Sequence, residues 1–205
     1  MATISIIGSG NMATAIGTRA AKHGHTIEIM SRNTAKAQSV ADQIGNGATV
    51  GTYGAKPAGD IVIVAILYQG AVEVVAHYGD ALAGKILIDI TNPFNADMSG
   101  LVTTADNSQS QQIAAAAPDS AHVVKAFNSI LHDVLEEEKP VDAFFAGDNA
   151  EAKARVAAFL ESLDMRPLDA GKLAMSYALE WAGIILVGVA NNGAGFDIAL
   201  GAKAL

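Results

Sequence analysis

The 205-residue sequence contains no cysteine, which excludes disulfides, thiolate metal sites and cysteine nucleophiles. Positive charge is scarce as well: 13 Lys and Arg stand against 21 Asp and Glu, for a net charge of -8. That balance argues against nucleic acid or an anionic membrane as a main partner, while leaving room for a local basic pocket. The histidines His23, His25, His77, His122 and His132 show no metal-ligand spacing, so no metal site is expected. A Ser-His-Asp or paired-carboxylate pattern is missing too. The opening MATISIIGSG has neither a basic region before its apolar run nor a cleavage site after it, which does not fit a signal peptide. The expectation is a soluble, cytoplasmic protein.

What is present is apolar material, 51% of the chain, arranged as short β-type runs alternating with helical ones. The pattern predicts strands at Thr3–Ile7, Thr26–Met30, Thr49–Thr52, Asp60–Ile66, Lys85–Ile90, His122–Ala126, Ala143–Ala146 and Met165–Asp169. It predicts a helix that follows GSGNM and runs to about His23, then helices at Ala35–Ile44, Ala71–Ala83 and Ala150–Leu163. DIVIVAI at 60–66 is a near-continuous Ile/Val run, as expected of a parallel strand covered on both faces. Such alternation predicts an α/β fold, a Rossmann-type doubly wound and mostly parallel sheet. One domain spanning 1–205 is expected, in which 165–205 form a final strand and a small C-terminal helical extension. Residues 96–112 are polar and predict a surface loop leading into a short helix. The apolar segment Leu173–Ala190 has the minimum length for a membrane span, but Glu180 near its centre would be costly in lipid. A buried or dimer-forming helix is the reading adopted, with no membrane and no nucleic-acid partner.

Gly8-Ser9-Gly10-Asn11-Met12-Ala13 is G-x-G-x-x-A between the first strand and the first helix. Gly8 makes the tight turn, Gly10 lets the backbone approach a pyrophosphate, and Ala13 lets the helix pack closely on the strand. Free N–H groups and the dipole at the helix start favour the anion. The second strand should meet the adenosine ribose near Met30, where an Asp or Glu usually accepts from the ribose hydroxyls. Here the run IEIM instead ends in Ser31, Arg32 and Asn33, with Lys36 one turn into the next helix. A guanidinium fork and a hydroxyl suit a 2′-phosphate, so NADP(H) fits better than NAD(H). The bland alternative is that Arg32 and Lys36 are solvated charges beside a helix start.

Taken in order, GSGNMA, MSRNTAK, TNPF at 91–94, VKAFN at 124–128, AGDNAEAK at 146–153, RPLDAG at 166–171 and NNGAG at 191–195 carry a resemblance. The chain resembles the NADP oxidoreductases that use the deazaflavin coenzyme F-420 (8-hydroxy-5-deazaflavin). It is also similar to the NADPH-binding domain of the six-transmembrane metalloreductases. The resemblance implies an NADP(H)-binding Rossmann domain and a long C-terminal helix that helps to form a homodimer. It implies Ser9, Asn11 and Met12 along the pyrophosphate, and Ser31, Arg32 and Lys36 around the 2′-phosphate. Ala65, Ile66, Leu67 and Tyr68 match a strand end beneath the cofactor. Asn92, Pro93, Ala126, Phe127 and Asn128 match segments near the nicotinamide. Phe127-Asn128 is closer to the metalloreductase domain, which passes hydride to a flavin, so the implied acceptor is a flavin or the deazaflavin.

Hydride transfer between stacked rings needs alignment more than a protein acid or base, and no catalytic residue is assigned. A carbonyl or imine acceptor would need a proton donor, for which Tyr68, Lys125, His132 and Tyr177 are available. Lys125, inside a strand, reads first as an ion-pair partner. The Asn92-Pro93 bond is a candidate for a cis peptide. The acidic run Glu136–Glu138 reads as a solvated helix end. Two alternatives stand beside the hydride-transfer reading: a reductase of small imines or carbonyls, and a non-catalytic NADP(H) sensor. Enzymes of the first kind carry a large helical substrate domain, whereas only about 35 residues follow RPLDAG here.

Overall fold

The computed structural model describes residues 1–203. Its elements run β1 (Thr3–Ile7), α1 (Asn11–Lys22), β2 (Thr26–Met30), α2 (Thr34–Ile44), β3 (Thr49–Gly51), β4 (Ile61–Val64), α3 (Tyr68–Tyr78) and β5 (Ile86–Asp89). They continue α4 (Gln109–Ala116), β6 (His122–Lys125), α5 (His132–Glu136), β7 (Val141–Gly147), α6 (Ala150–Ser162), β8 (Met165–Asp169) and α7 (Ser176–Val189). The eight strands form one sheet in the order β3-β2-β1-β4-β5-β6-β7-β8. All neighbours are parallel except β6 and β7, which pair antiparallel through Val124 with Gly147 and Lys125 with Ala146.

Alternation along the central strands builds two cores. Ile4, Ile6, Ile61, Ile63, Ile86 and Ile88 face α1, α2 and α6, where Ala13, Ile16, Ala37, Val156 and Phe159 meet them. Ile7, Val62, Val64 and Leu87 face the other way, onto Ala71, Val74, Val75 and Ile113 of α3 and α4. Burial on both faces explains why β4 reads IVIV without a polar residue.

The chain leaves β3 at one edge and re-enters beside β1 as β4, so the strand order reverses between β1 and β4. In such sheets the crevice outside the carboxyl ends of the strands at this switch is where ligands bind. The backbone holds it closed on itself: Gly8 N–H donates to Met30 O at 2.9 Å and Ala65 N–H to Ile7 O at 2.8 Å.

Several boundaries differ from the sequence pattern. The β4 strand ends at Val64, and α3 starts at Tyr68, three residues before the expected Ala71; Gly70 is tolerated within its first turn. The expected helix end at Ala83 is a separate tight turn, Gly79–Leu82, set off by Gly79 at φ +46°. Helix α5, only five residues long, has too few periods to show in the sequence. The Asn92–Pro93 bond is trans, as are all peptide bonds of the described residues. Beyond α7 the chain kinks at Asn192 and Gly193, which leave helical geometry.

Candidate functional site

The cleft at the switch point has a volume of about 760 Å³. Its walls come from the β1–α1 turn (Gly8–Met12), the end of β2 (Met30, Ser31, Arg32) with Lys36, and the β4–α3 connection (Ala65–Gly70). Tyr53, Val74 and the strand end Ile90–Asn92 complete it.

Gly8 sits at φ +134°, and a Cβ there would lie 2.0 Å from the Ala65 carbonyl oxygen, so the turn is seated directly on the β4 end. At Gly10 a Cβ would meet nothing within 4 Å. That open face lies over the start of α1, which has no side-chain cap and no acid in its first turn. The start of α3 is likewise uncapped and free of acids. By contrast, α2, α4 and α6 are capped by Asn33, Ser108 and Asn149, each accepting from a backbone N–H of the first turn. Two uncapped helix starts therefore share one cleft, with no side chain competing for their first N–H groups, although Gly70 N–H of α3 donates to Leu67 O at 3.1 Å.

The end of β2 adds charge. Among the described residues Arg32 and Lys36 have neither an ion pair nor a side-chain hydrogen bond, and both are exposed at the rim. Ser31 accepts from Ser9 Oγ at 3.0 Å, joining the two strand ends. The one acid of β2, Glu28, is used inside: it accepts from Ser5 Oγ at 2.6 Å and from Ala58 N–H at 2.9 Å. It is thus turned away from the site where a ribose carboxylate would be sought. The residues present fit a dinucleotide bearing an extra phosphate: N–H donors at the start of α1, free cations at the end of β2, and open space above Gly10.

Of the expected site residues, Gly8, Ser9, Gly10, Asn11, Met12, Ser31, Arg32, Lys36, Ala65, Ile66, Leu67, Tyr68 and Asn92 line this cleft. Asn33 is instead the α2 cap, accepting from Lys36 N–H at 2.9 Å. Pro93, Ala126, Phe127 and Asn128 lie behind the wall, the last three almost fully buried. Phe127 has φ +61°, a left-handed conformation that strains a bulky residue by about 1–3 kcal/mol. The residue it turns, Asn128, donates to Asn92 Oδ1 at 3.0 Å and to Leu179 O of α7 at 2.7 Å. Asn92 Nδ2 returns a bond to Asn128 O at 2.7 Å. Sequence reasoning missed Gln69, Gly70, Tyr53 and Ile90, which carry no motif of their own, and Thr91, which lies in TNPF but is not among the expected site residues; all five line the cleft. Of the four possible proton donors only Tyr68 lines the cleft. Tyr177 meets Trp181 edge-on, and His132 hydrogen-bonds Asp133 at 3.0 Å. Lys125 is fully buried between Asp89 and Glu180, at 2.9 and 3.3 Å, the ion-pair role its place in a strand suggests. Burial pushes the Glu180 carboxyl above its ordinary range, against the pull of Lys125.

The segment Leu173–Ala194 is long and apolar enough to cross a membrane, with a mean hydropathy of 1.7 over its most apolar window. Here Glu180 faces inward to Lys125, while Trp181, Ile185 and Val189 form an exposed apolar stripe.

Comparison with known proteins agrees with this geometry. Residues 3–93 match the family described as NADP oxidoreductase coenzyme F420-dependent. The F420-dependent NADP reductase of Methanocaldococcus jannaschii is 28% identical, over 89% of this chain and 89% of its own length. Metalloreductase STEAP3 of Rattus norvegicus is 27% identical over 86% of this chain, which spans only 35% of that protein. Among solved structures, a reductive aminase from Aspergillus terreus in complex with NADPH and ethyl-5-oxohexanoate superposes with a TM-score of 0.66 at 26% identity. That match covers 96% of this chain and 64% of the aminase. Sequence, fold and cleft agree: the chain is an oxidoreductase of Rossmann-type, NADP-binding architecture, similar to the coenzyme F420-dependent NADP oxidoreductases, whose family description its residues 3–93 match.

Proposed function

We propose that this chain binds NADP(H) in the cleft and passes hydride between the nicotinamide and a flavin-like or deazaflavin ring. One observation carries the cofactor reading: two uncapped helix starts and two unpaired cations border one cleft, at a strand end whose acid is turned inward. Ser9, Asn11 and Met12 would line the pyrophosphate at α1. Ser31, Arg32 and Lys36 would take the 2′-phosphate, with Asn33 fixing the start of α2. Ala65–Tyr68 would run beneath the cofactor toward Asn92 and Pro93, with Ala126, Phe127 and Asn128 as backing. Bound there, the nicotinamide supplies the hydride. The chain's part is to bind, orient and keep out water.

The ring-type acceptor is supported by likeness to an F420-dependent NADP reductase across most of both chains. It is supported too by the scarcity of proton donors at the cleft, since reduction of an imine or carbonyl requires one. The likeness to a reductive aminase makes imine reduction the competing outcome. The deciding experiment follows NADPH absorbance with purified protein and a panel of flavins, deazaflavin, quinones and small imines. Saturable oxidation by one ring-type acceptor is expected. Turnover only with imines would replace the acceptor, and tight NADPH binding without any turnover would make the chain a sensor.

The proposal includes a homodimer. Trp181, Ile185 and Val189 recur at the spacing of one helix face, and a second copy of the same stripe is the complement that the family resemblance implies.

A further inference from the structure

The wall segment Thr91–Asn92 is held from behind by charge. Lys125 projects from the residue of β6 that pairs with Asp89 of β5. Its ammonium is fully buried and donates to Asp89 Oδ2 at 2.9 Å, to Glu180 Oε1 at 3.3 Å and to the Thr91 carbonyl at 2.5 Å. Asp89 Oδ1 in turn accepts from Thr91 N–H at 2.8 Å, and its other oxygen from Ser110 at 2.6 Å. Both backbone polar groups of Thr91 are therefore bound by one cluster. The next residue, Asn92, is bonded to Asn128 and sits against Gly183 of α7, where a Cβ would approach its Oδ1 to 2.9 Å.

We infer that Lys125 is a positioning residue: its ammonium fixes the Thr91 carbonyl from inside, and through Glu180 it joins the cleft wall to α7. A well-packed apolar cluster would serve stability equally well or better than buried charges do. An ammonium, unlike an apolar side chain, can hold a backbone carbonyl at a defined point while answering two carboxylates. The effect on turnover rests on the NADP(H) reading; the effect on the wall does not.

Lys125→Met alone strands the Asp89 and Glu180 carboxylates and can fail to fold, so the test is the triple variant Lys125→Met/Asp89→Asn/Glu180→Gln, which leaves no charge in the cluster. In the free variant, amide exchange across 90–104 is expected to rise by at least about tenfold while the β1–α1 turn keeps its protection. With NADPH, affinity and KM should stay within about threefold of wild type while kcat falls about tenfold or more. The nicotinamide emission of bound NADPH should shift toward that of the free cofactor. A folded variant with wild-type exchange over 90–104, or with uniform loosening of the sheet, overturns the inference. So does a triple variant that does not fold, which makes the cluster purely structural. If the wild-type chain binds no NADPH, the functional reading falls and the exchange result alone decides.

Discussion

Replacing Gly10 with alanine separates the cleft's ligand from the fold around it. Gly10 caps α1 at φ -96°, a conformation open to alanine, and its Cβ would meet no atom within 4 Å. Loss of a glycine cap should destabilise by under about 1 kcal/mol. The stiffer unfolded chain returns about 0.4–1 kcal/mol, so the net change is close to zero. For a chain of this size the Tm should move by less than about 2 °C. The ligand should respond differently, because the added methyl enters the space through which a pyrophosphate must approach the α1 N–H groups. Loss of one charge-assisted hydrogen bond, about 1.5–3 kcal/mol, weakens binding roughly 10- to 150-fold. NADPH and NADH should suffer alike, since both carry the pyrophosphate. Fluorescence titration beside a melting curve measures both quantities. A variant with wild-type Tm and wild-type NADPH affinity would refute the assignment of this turn. Gly8→Ala is the contrast: backbone overlap with Ala65 and φ +134° should lower stability by more than about 3 kcal/mol and the Tm by at least about 6 °C.

Arg32→Ala should weaken NADPH about 10- to 30-fold through loss of an exposed contact to a charged phosphate, and leave NADH nearly unchanged; equal losses in paired titrations would sink the 2′-phosphate account. Trp181→Glu with Ile185→Glu should convert the proposed homodimer into a folded monomer by analytical ultracentrifugation, and a double variant that remains dimeric removes α7 as the interface. Glu180 carries a pH prediction. Its folded pKa is raised from an ordinary 4.5, first by burial, so the stability linked to its proton is full below that value and is lost as pH climbs through the folded pKa. Relative to Glu180→Gln, the wild type should therefore lose Tm as pH rises from about 4.5 and level off above the folded value. A Tm difference independent of pH across that range contradicts it.

The turn was legible because its signal is local. Gly8 and Gly10 stand between a strand pattern and a helix pattern, and each glycine's role follows from positions next to it. The end of β2 was legible for the same reason: the run IEIM stops at Met30, and Ser31 and Arg32 follow it into the cleft wall. What the sequence could not show were the pairings made across the fold. Lys125 meets Asp89 across 36 residues and Glu180 across 55, and no periodicity announces a triad spread over two strands and a helix. The left-handed turn at Phe127 is equally silent, because a bulky aromatic there reads as ordinary core. The early start of α3 was missed because its N-cap, Leu67, is no capping residue, and that same lack leaves the Tyr68 and Gln69 N–H groups without a side-chain cap at the cleft.

Glu28 shows how an acid on β2 can be kept from the strand end by its own hydrogen bonds. An acid on β2 is present, two residues before the strand ends, yet Ser5 and the Ala58 amide hold both its place and its hydrogen bonds. Ser5 also accepts from Gly59 N–H at 2.9 Å, so the acid helps pin the segment entering β4. The strand end is then left to Ser31 and Arg32, with Asn33 aligning the first turn of α2 that carries Lys36. An anion at this rim meets a cation whose charge nothing in the described structure neutralises, in a chain whose net charge is -8. The field that could steer an anionic ligand is therefore local, and its reach is set by screening, about 10 Å at 0.1 M salt. NADPH affinity should consequently fall with ionic strength more steeply than NADH affinity, and the difference in slope should shrink in Arg32→Ala, where Lys36 remains. A salt dependence identical for both dinucleotides would mean that Arg32 and Lys36 are solvated charges that no phosphate meets.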